Sequence, residues 1–175
     1  MAESRRESAA VELAEWGRPE VQALGGGADD PFETGALGVT WRPEDRHFGV
    51  RREGRVVARA GLLTVPVEAG GRRFDVAGIG GVIVDPHWRG HGLARTAVAG
   101  ALDAARADGL DLALLFCLPD RGPLYARLGW SPLPDPVTAD QPDGPAPVPI
   151  GAMWIPIMPG AAWPAGPVRL HSLPM

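Results

Sequence analysis

The chain has 175 residues, enough for one domain of ordinary size, with 24 Gly, 19 Pro and a formal net charge of −4. All 17 basic residues are arginine and asparagine is absent, which excludes a Walker-type or kinase lysine, a lysine Schiff base, a Cys-His-Asn triad and N-glycosylation. Cys117 is the only cysteine, so an intrachain disulfide and every multi-cysteine zinc or iron–sulfur site are excluded as well.

Taken in order, residues 8–24 place Val11, Leu13, Ala14, Val21 and Leu24 at helical spacing, with Pro19 as an interruption. They predict an amphipathic helix. Gly25 to Asp30 is a loop, and Asp30-Pro31 predicts a capped short helix around Phe32. Residues 46–52 and 55–67 read as strands joined by a turn at Glu53-Gly54. Ala69-Gly70-Gly71 turns the chain into a third strand, 72–84, completing an antiparallel meander. The period then changes. Leu93, Ala97, Val98, Ala101, Leu102 and Ala105 share one face of a helix over 91–109, ended by Gly109.

Leu110 to Leu118 is a nearly continuous apolar run, as expected for a strand buried on both faces. A short helix, 122–128, follows between Pro123 and Gly129. Residues 131–147 read as a long loop, 148–157 as a last strand, and 158–175 as a Gly/Pro-rich C-terminal extension of a single domain spanning 1–175. This order predicts an α+β fold: a mixed, mostly antiparallel sheet with one parallel pair, flanked by helices.

Nothing near the N-terminus has the apolar core of a signal peptide, and no run is long enough to cross a bilayer. A cytoplasmic protein is the expectation. The acidic balance predicts neither a nucleic-acid surface nor a membrane partner.

The informative segment is the junction from Gly81 to Ala97. An apolar strand ends at Asp85-Pro86, and Arg89-Gly90-His91-Gly92-Leu93-Ala94 opens the long helix. Consecutive N–H groups at a helix start form an anion site, and Arg89 and Arg95 can add charge-assisted bonds. Pyrophosphate is the natural occupant. A third glycine is missing from the dinucleotide fingerprint, since Arg95 stands in its place.

Arg89-x-x-Gly92-x-Ala94 after an apolar strand resembles the acyl-CoA pyrophosphate loop of the GNAT acetyltransferase superfamily. Leu124-Tyr125-Ala126-Arg127-Leu128-Gly129-Trp130 resembles a second segment of the same superfamily. The resemblance covers about residues 45–157. It implies a parallel strand pair splayed at the cofactor site, with acetyl-CoA as acyl donor and no metal. It implies that Val82, Ile83 and Val84 offer main-chain contacts to pantetheine and the thioester. Arg89, Gly90, His91, Gly92, Leu93, Ala94 and Arg95 would then hold the pyrophosphate. Gly80 and Gly81 fit a bulge or a close backbone approach.

Tyr125, the only tyrosine, is either an aromatic that packs its helix on the sheet or, as the resemblance implies, the general acid that protonates the departing thiolate. Cys117 is either an acyl-accepting nucleophile or a buried thiol. His87 and His91 are either a metal pair or loop residues. Trp88 covers the loop or an adenine.

The base is harder to place. Gly-Val-x-Val at 81–84, Trp88-Arg89-Gly90, Leu124-Tyr125-Ala126 and Gly129-Trp130-x-Pro132 resemble the aminoglycoside 2′-N-acetyltransferases. That branch has a glutamate in the strand before the loop, and here its position falls on Gly80. Asp30, Glu33, Asp75 and His171 are the candidates in its stead. Asp30-Pro31-Phe32-Glu33, Gly61-Leu62-Leu63 and Trp163-Pro164-Ala165-Gly166 resemble the nodulation-factor N-acyltransferases, and put Phe32 and Glu33 at the substrate.

The expected function is acetyl transfer to a primary amine of a small molecule, such as an aminoglycoside, by direct attack in a ternary complex. An antibiotic-resistance role follows from that substrate. A homodimer is compatible with it. The alternatives are a non-catalytic module that binds CoA or a drug, and an N-acyltransferase using a longer acyl group.

Overall fold

The computed structural model describes residues 12–17, 19, 23, 24 and 34–175. It opens with a strand, β1 (Glu12–Trp16), where a helix is expected over 8–24. The rest of that expected helix, except Gly17, Pro19, Ala23 and Leu24, lies outside the described residues, as does the short helix expected around Phe32. β1 pairs antiparallel with β2 (Arg46–Arg52), from Glu12 opposite Arg51 to Trp16 opposite His47. Local helix propensity is worth only tenths of a kcal/mol per residue. Pairing and packing override it here. The Trp16 ring covers Gly49 and lies 4.9 Å from the Arg51 guanidinium. Arg46 bridges Glu15 at 2.8 Å, and its hydrogen bond holds the Glu15 carboxyl below its usual range.

β2, β3 (Arg55–Ala69) and β4 (Arg72–Val84) form the expected antiparallel meander. The helix α1 (Leu93–Ala107) carries the chain back to β5 (Leu112–Cys117), which pairs parallel with β4. A short helix, α2 (Gly122–Arg127), follows. The segment expected to be a long loop supplies three short strands, β6 (Ser131–Pro132), β7 (Val137–Ala139) and β8 (Ala146–Pro147). β9 (Gly151–Pro156) pairs antiparallel with β5.

In the tail, β10 (Val168–Leu170) joins the far half of β3 antiparallel and β7 parallel, a second parallel pair that the expected topology lacks. Among the described residues all ten strands form one sheet, ordered β6-β9-β5-β4-β3-β10-β7-β8, with β2 and then β1 beside the near half of β3.

The long strand β3 explains how one sheet carries two cores. In its first half Ala58, Ala60 and Leu62 point to the α1 face and are buried there. In its second half Leu63, Val65, Val67 and Ala69 are buried on the opposite face, under the tail and β7. Side chains alternate across a strand, so the core changes face along β3. The opposite face of the first half, at Arg59 and Gly61, is left for something other than core. α1 packs close at Gly100, where a side-chain carbon would stand 2.7 Å from the Leu13 side chain.

Ile79 on β4 is 1% exposed in the α1-side core. Truncating it leaves a cavity as well as a lost transfer term, so Ile79→Ala is expected to cost about 2–5 kcal/mol. Urea unfolding should show a lower midpoint with an unchanged slope.

Candidate active site

The site begins with a divergence. β4 and β5 are matched only at Ala77–Ala113 and Gly78–Leu114. Beyond that, residues 79–84 and 115–117 have no mutual pairing, so a gap opens between two parallel strands. A bulge on β4 accompanies it. Arg59 stands opposite Ile83 but Gly61 opposite Gly80, so β4 carries an extra residue at this point. Gly81 sits there at φ +57°, a conformation that other residues adopt at a cost.

The bulge changes which residues face α1: Ala77 and Ile79 before it, Val82 and Val84 after it. It also sets the amides. The Asp85 N–H donates to the Val57 carbonyl at 2.8 Å, so strand alternation turns the Val84 N–H, and two residues back the Val82 N–H, toward the gap. Ile83 faces β3 at Arg59, so of the three expected main-chain contacts two look into the gap.

The strand ends in a tight turn. The Asp85 carboxylate accepts from the His87 N–H at 2.9 Å and lies 3.3 Å from Arg55. The His87 backbone bond, ahead of the charges around it, lowers the Asp85 carboxyl from its usual range. Gly90 and Gly92 then take positive φ, with Gly92 as N-cap of α1. The first helical bond runs from the Thr96 N–H to the Gly92 carbonyl, 3.2 Å. The amides of Leu93, Ala94 and Arg95 precede it and have no carbonyl four residues back within the helix.

Nothing crowds Gly90 or Gly92 within 4 Å of where a side-chain carbon would sit, and Arg89 and Arg95 are exposed beside them. Three converging amides, an open cradle and two guanidinium groups fit a pyrophosphate. The Arg89 Nε–H points at the Val84 carbonyl, 3.4 Å away, joining the loop to the gap. His91 Nδ1 lies 3.0 Å from the Arg89 carbonyl, and His87 Nδ1 lies 3.1 Å from Asp85, so each histidine is engaged within the loop. Trp88 packs between the Arg52 guanidinium and His91.

Across the gap, β5 ends at Cys117 and α2 carries Tyr125. The Tyr125 ring meets Trp130 edge to face at 6.1 Å and packs on the α1-side core. Burial, more than the nearby Cys117, pushes its phenol up to about 12. The phenol is therefore protonated at every physiological pH and has a proton to donate. Burial also raises the Cys117 thiol.

Of the four expected base candidates, Asp75 and His171 lie at the other end of the sheet. They line a hollow of about 240 Å³ with Pro66, Val67, Arg73 and Phe74. His171 is paired there with Glu68 at 3.2 Å. Asp75 is six residues from Gly81 on an extended strand, roughly 20 Å at ~3.3 Å per residue. Asp30, Phe32 and Glu33 lie outside the described residues.

The carboxylate that does reach the bulge belongs to Glu44, ahead of β2. Its side chain lies directly on Gly61, and Oε1 is 2.7 Å from where a side-chain carbon on Gly80 would be and 2.6 Å from one on Gly81. Gly61 and Gly80 are register partners. Two glycines opposite each other in neighbouring strands of an otherwise apolar meander are the signal that something covers them. The sequence does not say what.

The family described as the acetyltransferase (GNAT) domain matches residues 31–133, more than half of the chain. No curated protein sequence matches. Among solved structures, a GCN5-related N-acetyltransferase from Kribbella flavida is 26% identical over 70% of this chain, with a TM-score of 0.52. The chain spans about a third of that protein's length, 34%. The Escherichia coli GNAT family N-acetyltransferase YhbS, solved in complex with CoA, is 17% identical, covers 94% of this chain and 91% of its own, and has a TM-score of 0.60. N-acetylglutamate synthase from Neisseria gonorrhoeae, solved with coenzyme A and N-acetyl-glutamate, is 16% identical over 87% of this chain and 36% of its own, with a TM-score of 0.59. The splayed strands, the bulge, the open helix entrance and the family match agree, and the chain belongs to the GNAT acetyltransferase family.

Proposed function

We propose that the protein transfers an acetyl group from acetyl-CoA to a primary amine of a small molecule, by direct attack in a ternary complex. The observation that carries this reading is the gap between β4 and β5 on the strand that leads into the open entrance of α1, the two linked by Arg89 and the Val84 carbonyl. Acetyl-CoA supplies an acyl group activated as a thioester. In this reading the amides of Leu93, Ala94 and Arg95, with Arg89, hold its pyrophosphate, and Gly90, His91 and Gly92 shape the cradle. The Val82 and Val84 amides bond the pantetheine arm and the thioester oxygen, where negative charge builds during attack.

Tyr125 protonates the leaving sulfur. A thiolate leaves more readily when a proton arrives with it, and a phenol kept protonated by burial is equipped to give one. Amino sugars, aminoglycosides among them, are the acceptor class that the motifs around Gly81, Arg89, Tyr125 and Trp130 favour through their resemblance to the 2′-N-acetyltransferases. Thiol release from acetyl-CoA in the presence of kanamycin, D-glucosamine and 2-phenylethylamine tests the reading. Release with at least one amine is expected, and failure to bind CoA overturns it.

Tyr125→Phe is expected to keep its affinity for acetyl-CoA while turnover falls by about 10²-fold or more. Equal turnover in the two proteins removes the acid role. Cys117 should be a bystander. Its thiol is buried and raised, so alkylation by iodoacetamide at pH 7.5 should be slow in the folded protein and fast in urea. Cys117→Ala should remain active, and an inactive Cys117→Ala that still folds and binds CoA would restore the ping-pong alternative.

A further inference from the structure

We infer that Glu44 receives the acceptor's ammonium group and takes its proton, standing in for the carboxylate that β4 itself lacks at Gly80. The inference rests on the transferase reading above and deepens it. Three glycines on two strands, Gly61, Gly80 and Gly81, leave the space that the Glu44 side chain fills. That concentration is costly for a sheet, because glycine in a strand loses packing and chain entropy. What it gains is a carboxylate laid flat on the bulge, one residue from Val82, whose amide faces the gap.

The face is the right one for an acceptor. Register puts Gly61, Gly80 and Arg59 on the side of the sheet away from α1, where the described residues build no apolar core on the first half of β3. Phe116 of β5 belongs to that side too, and Trp41, three residues ahead of Glu44, meets it edge to face at 6.1 Å. A carboxylate and two aromatic rings on one side of the sheet suit a primary ammonium on a body with an apolar face. Burial lowers the Arg59 guanidinium from its ordinary value, and the Glu44 charge opposes that shift, so the two side chains feel each other across this face.

The chemistry balances. The ammonium gives one proton to a Glu44 oxygen, which releases it to water. The amine lone pair then forms the carbon–nitrogen bond as the carbon–sulfur bond breaks, its electron pair going to sulfur. The Tyr125 phenol proton goes to that sulfur. The second proton lost by nitrogen restores the phenol by way of solvent. The products are an amide, a free thiol and one proton.

The glycines make a sharp experiment available. The three atoms nearest a side-chain carbon on Gly80 all belong to Glu44, and Gly80 is absent from the residues with positive φ, so a glutamate fits at 80 once Glu44 is trimmed. The measurement is thiol release from acetyl-CoA with kanamycin, D-glucosamine or 2-phenylethylamine, alongside acetyl-CoA binding and thermal unfolding. Glu44→Gln and Glu44→Ala are expected to lose about 10²-fold or more in kcat/KM for the amine, the usual range for a general base, with acetyl-CoA affinity within twofold of wild type.

Adding Gly80→Glu to Glu44→Ala should recover at least tenfold, and adding Gly80→Gln should recover nothing. Equal recovery by Glu and Gln at 80, or undiminished turnover in Glu44→Gln, overturns the inference and leaves the transferase reading standing. Wild-type protein that binds CoA but releases no thiol with any of the three amines overturns the transferase reading, and the inference with it.

Discussion

The structure depends on one backbone conflict and its resolution. β4 must stay paired with β3 on both sides of the bulge, yet part from β5 after two matched residues. One extra residue at Gly81 meets both demands. It bends the strand out of the parallel pair, reverses which side chains face α1, and turns two amides to the gap. Apart from Tyr125 across the gap, the groups assigned a role lie along the bend: the glycines covered by Glu44 beneath it, the main-chain donors just after it, and the helix entrance beyond.

The division of labour between the sheet's faces follows. One face carries α1 and a core of small residues, many of them alanine, so the helix comes close. The other is filled by the tail, β7 and their aromatics, but only along the second half of β3. A strand of fifteen residues is long enough to have two environments on each face. Among the described residues the stretch next to the bulge carries no such core, and Glu44 and Arg59 occupy it. Arginine is the only cation in this chain, and its planar head suits these partly dry surroundings better than an ammonium would.

Much of this could be read from residue order. The meander and α1 are long and periodic, β5 is an unbroken apolar run, and their observed limits fall within two residues of those expected. The helix entrance was legible because its chemistry is local, packed into the six residues from Arg89 to Ala94. β1 was not, because Glu12 to Trp16 is rich in good helix formers and its strand state comes from a partner more than thirty residues away. β10 is three residues between prolines and glycines, too short for any period to show. Glu44 was missed for the same kind of reason: its meaning lies in glycines far along the chain.

β10 has a consequence for the order in which the molecule assembles. It covers the outer edge of the second half of β3, across a sequence separation of about a hundred residues. Until the last strand arrives, β3 from Pro66 to Ala69 stands as an unpaired edge beside the buried Val65 and Val67, the kind that other chains readily join. Such late, distant pairing slows folding and prolongs that exposure. Pro66, with no N–H to offer, and Glu68, with its charge, sit within that very edge. They are the residue types with which natural sheets discourage edge-to-edge association, and here they guard it while the rest of the chain is still being made.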